Sequence, residues 1–175
     1  MRVDFFAAGA LVGLLGNKGL RKRPVCDAAI VQMVSSISTM VRKKSKRIVV
    51  HVAISPFSPK AHTPFGREPM ENVDTLLQRS IYIKRALWSF KNTKVSYRDP
   101  QITLLETVMA RGDRAVGQLI YEAWRNGARF DGWDECFNMD NWTSAANKLG
   151  MNPDIYLQRI PVGMKLPWAA VSTGV

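Results

Sequence analysis

The segment Ile48-Val49-Val50-His51-Val52-Ala53-Ile54 constrains this chain more than any other. Five of its seven residues are β-branched, Lys46-Arg47 and Ser55-Pro56 bound it, and it is too short for a free-standing helix. It therefore predicts a strand. Before it, Ile30, Val34, Ile37 and Val41 recur at helical spacing behind Asp27, which is placed to cap a helix. Arg42, Lys43, Lys44, Lys46 and Arg47 follow, at the end where the helix macrodipole favours cations. Upstream, the apolar run from Val3 to Gly16 is too short to cross a bilayer and is interrupted by Asp4, so it reads as a buried strand entering a glycine-rich loop. Strand, helix, strand in this order predicts a parallel pair joined by a right-handed crossover.

The unit then repeats. Residues 71–90 read as a helix on Val73, Leu77 and Ile81, with Leu76, Ile83 and Leu87 beside them, and Thr93–Tyr97 as a third strand. From Asp99 the punctuation becomes helical. Asp99-Pro100 opens one helix, with Ile102, Leu105 and Met109 as its stripe and Gly112 as its stop; Asp113 caps a second, carrying Val116, Leu119, Ile120, Ala123 and Trp124. A third runs from about Met139 to Leu149, and Asn152-Pro153 starts a short fourth. The expected class is α/β, with a β/α segment over residues 1–98 and a helical extension over 99–175. About three parallel strands leave open edges, so the sheet is expected to belong to something larger. Either copies of the chain join through strand edges, or further strands precede Met1.

Charge narrows the function classes. The chain has a formal net charge of +11, yet the first sixty residues hold eleven Lys and Arg against two acids, while residues 61–175 hold fourteen against twelve. Lys18 to Arg23 and Arg42 to Arg47 are clusters that could contact RNA phosphates, although no RRM, KH or zinc-finger pattern accompanies them. A basic module binding RNA or a partner subunit is therefore one expectation. Two cysteines, Cys26 and Cys136, stand far apart in sequence. They imply no disulfide framework and fit a reducing, cytoplasmic setting. They also fall short of the three or four thiolates of an iron–sulfur or structural zinc site, and no histidine has a ligand neighbour at metal spacing.

The loop after the best strand concentrates chemistry. In α/β proteins ligands bind at the carboxyl ends of strands, and here Ser55-Pro56-Phe57-Ser58-Pro59-Lys60-Ala61-His62-Thr63-Pro64-Phe65 combines stiff backbone, polar groups and flat apolar rings. It reads as a rigid surface loop or as the wall of a pocket. Strand alternation puts Ile48, Val50, Val52 and Ile54 on one face, and Val49, His51, Ala53 and Ser55 on the other. If the strand belongs to a barrel, the aliphatic face meets the helices and His51 approaches the interior; the other reading is a buried histidine satisfied by one backbone carbonyl. The acids of Arg129-Phe130-Asp131-Gly132-Trp133-Asp134-Glu135-Cys136 read as helix caps, and Leu104, Val108 and Trp124 as core.

Several motifs now stand in order: the loop 55–65, Val95-Ser96-Tyr97-Arg98-Asp99-Pro100, Leu104-Leu105-Glu106, Ala110-Arg111-Gly112-Asp113-Arg114, Ala128-Arg129-Phe130-Asp131-Gly132-Trp133, Leu166-Pro167-Trp168 and Ser172-Thr173-Gly174-Val175. This run resembles the C-terminal part of radical S-adenosylmethionine (radical SAM) proteins that carry an N-terminal cobalamin-binding-type domain. The resemblance covers residues 27–175. It implies an incomplete parallel β/α barrel segment followed by a helical extension, with S-adenosylmethionine, a [4Fe–4S] cluster and cobalamin as the family's cofactors. It places Ser55, Ser58, Lys60, His62 and Thr63 nearest the cofactor cleft, and the alternation of the strand adds His51 as a further cofactor-binding candidate. No catalytic residue follows from it, and no metal ligand. The family's CxxxCxxC signature has no counterpart here, and Gly13-Leu14-Leu15-Gly16-Asn17 replaces its Gly-Leu-Pro turn. The chain is thus expected to be the C-terminal fragment of such an enzyme, inactive alone, with a complementing N-terminal barrel chain or further copies of itself as partner and no membrane contact.

Overall fold

A computed structural model of the chain describes residues 2–7 and 24–171. Three strands, β1 (Arg2–Ala7), β2 (Val49–Ile54) and β3 (Thr93–Tyr97), form one parallel sheet in the order β1-β2-β3. Register is continuous, with Asp4 opposite His51 and His51 opposite Lys94. The expected glycine-rich loop after the first strand lies outside the described residues.

Two helices, α1 (Pro24–Lys44) and α2 (Val73–Leu87), cover one face of this sheet. Val34 of α1 and Ile83 and Leu87 of α2 close on Val50, Val52 and Ile54, all nearly free of solvent. The alternation of β2 thus decides what is core. Its other face carries Val49, His51 and Ala53, half-buried, beside the exposed Lys94 and Ser96 of β3. Among the described residues of this unit, neither helix lies on that face.

Two details of these helices differ from the sequence expectation. The buried stripe of α2 is Leu76, Ser80, Ile83 and Leu87, while Leu77 is exposed and Val73 and Ile81 are partly so. The Ser80 hydroxyl makes this stripe possible by donating to Leu77 O at 2.6 Å, which satisfies it inside the core. Asp27 sits in the first turn of a helix that begins at Pro24, and its carboxylate is taken up by Arg79 of α2 through contacts of 3.0–3.1 Å rather than by backbone amides.

A second compact unit comprises Ser58–Met70 and Gln101–Val175, the first being Met1–Phe57 with Glu71–Pro100. The Pro-rich loop, counted in the sequence with the β/α segment, therefore packs largely with the helices that follow. These are α3 (Pro100–Arg111), α4 (Arg114–Arg125) and α5 (Met139–Lys148), then a 3-10 turn at Pro153–Leu157. Asp113 caps α4 by accepting from Ala115 N at 2.9 Å. For α5 the cap is Asn138, not one of the preceding acids; Asp131 instead accepts from Trp142 Nε1 at 2.8 Å. Val116, Leu119, Ala123, Trp142, Ala145 and Ala146 are the buried apolar residues of α4 and α5, and Glu122 is buried beside them. Trp124, expected in the core, is half-exposed and lies under the Arg129 guanidinium, 4.8 Å from its ring centroid.

Candidate functional site

The loop after β2 is held by short-range turns. Thr63 Oγ1 donates to Lys60 O at 2.8 Å, and Gly66 N donates to Thr63 O at 3.0 Å. A Cβ on Gly66 would stand 2.5 Å from Lys60 O, so only glycine lets the chain double back this tightly. The tightness has a second mark: His62 adopts φ +57°, in the left-handed region.

These turns separate the residues that the sequence grouped. Ser55 is exposed at the end of β2. Ser58 and Lys60 point into the helical unit, where the Ser58 hydroxyl lies 2.8 Å from that of Thr107 and the Lys60 ammonium pairs with Glu106. His62 and Thr63 stay exposed and line a half-open cavity of about 340 Å³. His51 remains mid-strand on the face of the sheet away from the helices, in the other unit. The five loop residues therefore occupy three environments.

The far wall of the cavity is the segment from Leu166 to Val171, including Trp168. It is tied to the loop by Arg67, whose Nη1 donates to Pro161 O at 2.7 Å and Nη2 to Met164 O at 3.3 Å, while Ile160 N donates to Arg67 O at 3.0 Å. Arg159 pairs with Glu68 at 2.8 Å. Deeper in, Met70 N donates to Leu157 O at 2.9 Å, and Arg111 donates to Glu68 O at 3.0 Å and to Gln158 O at 2.6 Å. Arg111 is only 2% exposed and its Nε has no partner among the described residues. Desolvation pushes its pKa below the ordinary arginine value, and the fork geometry places donors on two segments at once.

No family model, curated protein or solved structure matches the chain. The site must therefore be read from its own residues. Among the described residues no three His, Cys, Asp or Glu side chains are grouped to hold a metal ion, and no helix is long and apolar enough to cross a membrane. Arg67 and Arg111 were not singled out from sequence as site residues. Isolated arginines that bond to carbonyls leave no spacing signature, unlike the proline-rich loop beside them. The cations Arg42, Lys43, Lys44, Lys46 and Arg47 are all exposed at the end of α1 and just beyond it.

Proposed function

We propose that this chain supplies the closing strands of a radical SAM-type β/α barrel and the helical extension behind them. One observation carries the reading: both crossover helices cover the same face of a sheet whose strands follow in the order β1-β2-β3. Sequential parallel strands with their crossovers on one face are the arrangement of a singly wound sheet, which curls toward a barrel with its bare face inside. Here that face carries Val49, His51, Ala53, Lys94 and Ser96. Three strands cannot close a barrel, so the remaining ones come from polypeptide beyond these residues, in a complementing chain or in copies of this one.

In such a barrel, His51 and Ser96 are polar groups on the interior wall, and Ser55 stands at the carboxyl end of β2, where S-adenosylmethionine or substrate is bound. The residues present do not fit the cluster. The chain has two cysteines, Cys26 and Cys136, and Cys136 is exposed in the helical unit, far in sequence from the strand ends. Its own role is accordingly to bind and orient, and it is inactive alone. Reconstitution of the full chain with iron and sulfide under anaerobic conditions should give no [4Fe–4S] absorbance, and a cluster with stoichiometric iron would overturn the assignment. Reading the DNA upstream of the Met1 codon for a frame containing CxxxCxxC tests the complementing partner directly. The alternative, an RNA-binding module, rests on the exposed cations at the end of α1 and requires a steep fall of RNA affinity with salt.

A further inference from the structure

We propose that the cavity between His62-Thr63 and Trp168 binds a small oxyanion carried on a flat ring. All of its residues belong to the helical unit, so the inference stands apart from the barrel reading. Its volume, about 340 Å³, is in the range of small-molecule sites. Its walls, roughly a hundred positions apart in sequence, are tied together by the bonds of Arg67 to Pro161 O and Met164 O. The cavity is thus preformed.

The chemistry of the lining selects the ligand. Arg67 brings a positive charge, and its side-chain bonds are to two neutral carbonyls. A guanidinium has five N–H donors, so donors remain after those two bonds. At the mouth stand the His62 imidazole, on a left-handed backbone, and Thr63. Leu166, Trp168 and Val171 give the opposite side a flat apolar surface. Among the described residues no acid lines the cavity, which disfavours a cationic ligand. A purely apolar one would desolvate Arg67 without pairing it. An anion lacking a ring would leave Trp168 uncovered. The ligand that meets all three conditions presents phosphate or carboxylate to Arg67 and a ring to Trp168.

Calorimetric titration of the full chain with naphthyl phosphate, naphthylacetate, naphthol and inorganic phosphate tests this. One or both of the first two should saturate the protein below about 1 mM, and naphthol and inorganic phosphate should bind at least about tenfold more weakly. Binding by naphthyl phosphate alone assigns a phosphate ester, and by naphthylacetate alone a carboxylate. Arg67→Gln should lose about tenfold in affinity. Because Arg67 also ties the walls together, Trp168→Ala and His62→Gly serve as second variants, each expected to weaken binding at an unchanged melting temperature. Naphthol binding as tightly as the anions, no saturation by any compound, or unaltered affinity in Trp168→Ala would each overturn the proposal.

Discussion

The Asp27–Arg79 pair gives the sharpest test of the β/α unit. Asp27 lies in the first turn of α1, Arg79 in the middle of α2, and their side chains are 9% and 13% exposed. Three N–H···O contacts of 3.0–3.1 Å join them, so the pair is a near-bidentate fork removed from most of the solvent. Replacing one member strands the other charge where water cannot repay its desolvation. Asp27→Asn should therefore cost about 3–5 kcal/mol. With a urea dependence of about 2 kcal/mol per molar, the midpoint should fall by about 1.5–2.5 M. Replacing both, as Asp27→Asn with Arg79→Met, removes the stranded charge and should recover much of that loss. The assay is urea unfolding of the wild type, both single variants and the double variant, followed by far-UV circular dichroism and analysed as a double-mutant cycle. Single losses below about 1 kcal/mol, or losses that add without coupling, would show that the pair is a solvated surface contact and refute this account of how α1 and α2 are joined.

Two further expectations concern the helical unit. Gly66→Ala forces a Cβ to within 2.5 Å of Lys60 O, a backbone atom that cannot swing aside, so the 60–66 turn must open. Proteolysis should then begin near His62 and Thr63 at concentrations that leave the wild type intact. Glu122 is held below the usual carboxylate range, first by its hydrogen bond from Lys148 and then by the charges of Lys148 and Arg125. A depressed folded-state pKa contributes stability above the unfolded value that is lost as pH falls through the folded one. Acidifying from neutrality should therefore lower the melting temperature of the wild type more than that of Glu122→Gln, and identical acid profiles would sink the idea.

The fold is legible in the sequence to a degree that varies from segment to segment. The alternation of β2 is unambiguous because a one-residue slip would expose Val50, Val52 and Ile54 together. In α2 two apolar stripes compete at helical spacing, and the one that wins contains Ser80. Its polarity hides the stripe until the bond to Leu77 O is seen. Trp124 misleads in the opposite sense: a large ring on an amphipathic helix reads as core, but here it stays half-exposed and meets Tyr121 and Arg129 at the surface. For the site, the prolines and polar residues of 55–65 marked the segment, while the direction of each side chain depended on partners forty or more positions away, such as Glu106 for Lys60 and Thr107 for Ser58. Nothing within the loop specifies those partners.

That dependence changes what the loop can be asked to do. From Ser58 onward its residues are fixed by α3 and by the segment around residues 157–164, in part through bonds from arginine to main-chain carbonyls. A carbonyl carries no formal charge, so each such bond leaves the guanidinium charge in place while spending its donors on geometry. Arg111 does this in the interior, where its charge can only hold segments together. Arg67 does it in the wall of a cavity, where it is only partly buried. Lysine could match the charge but not the arrangement, because a single ammonium cannot span two segments as a planar fork does. One side-chain chemistry thus yields a structural clamp where it is buried and a clamp with spare binding capacity where it is open, and burial alone decides between them.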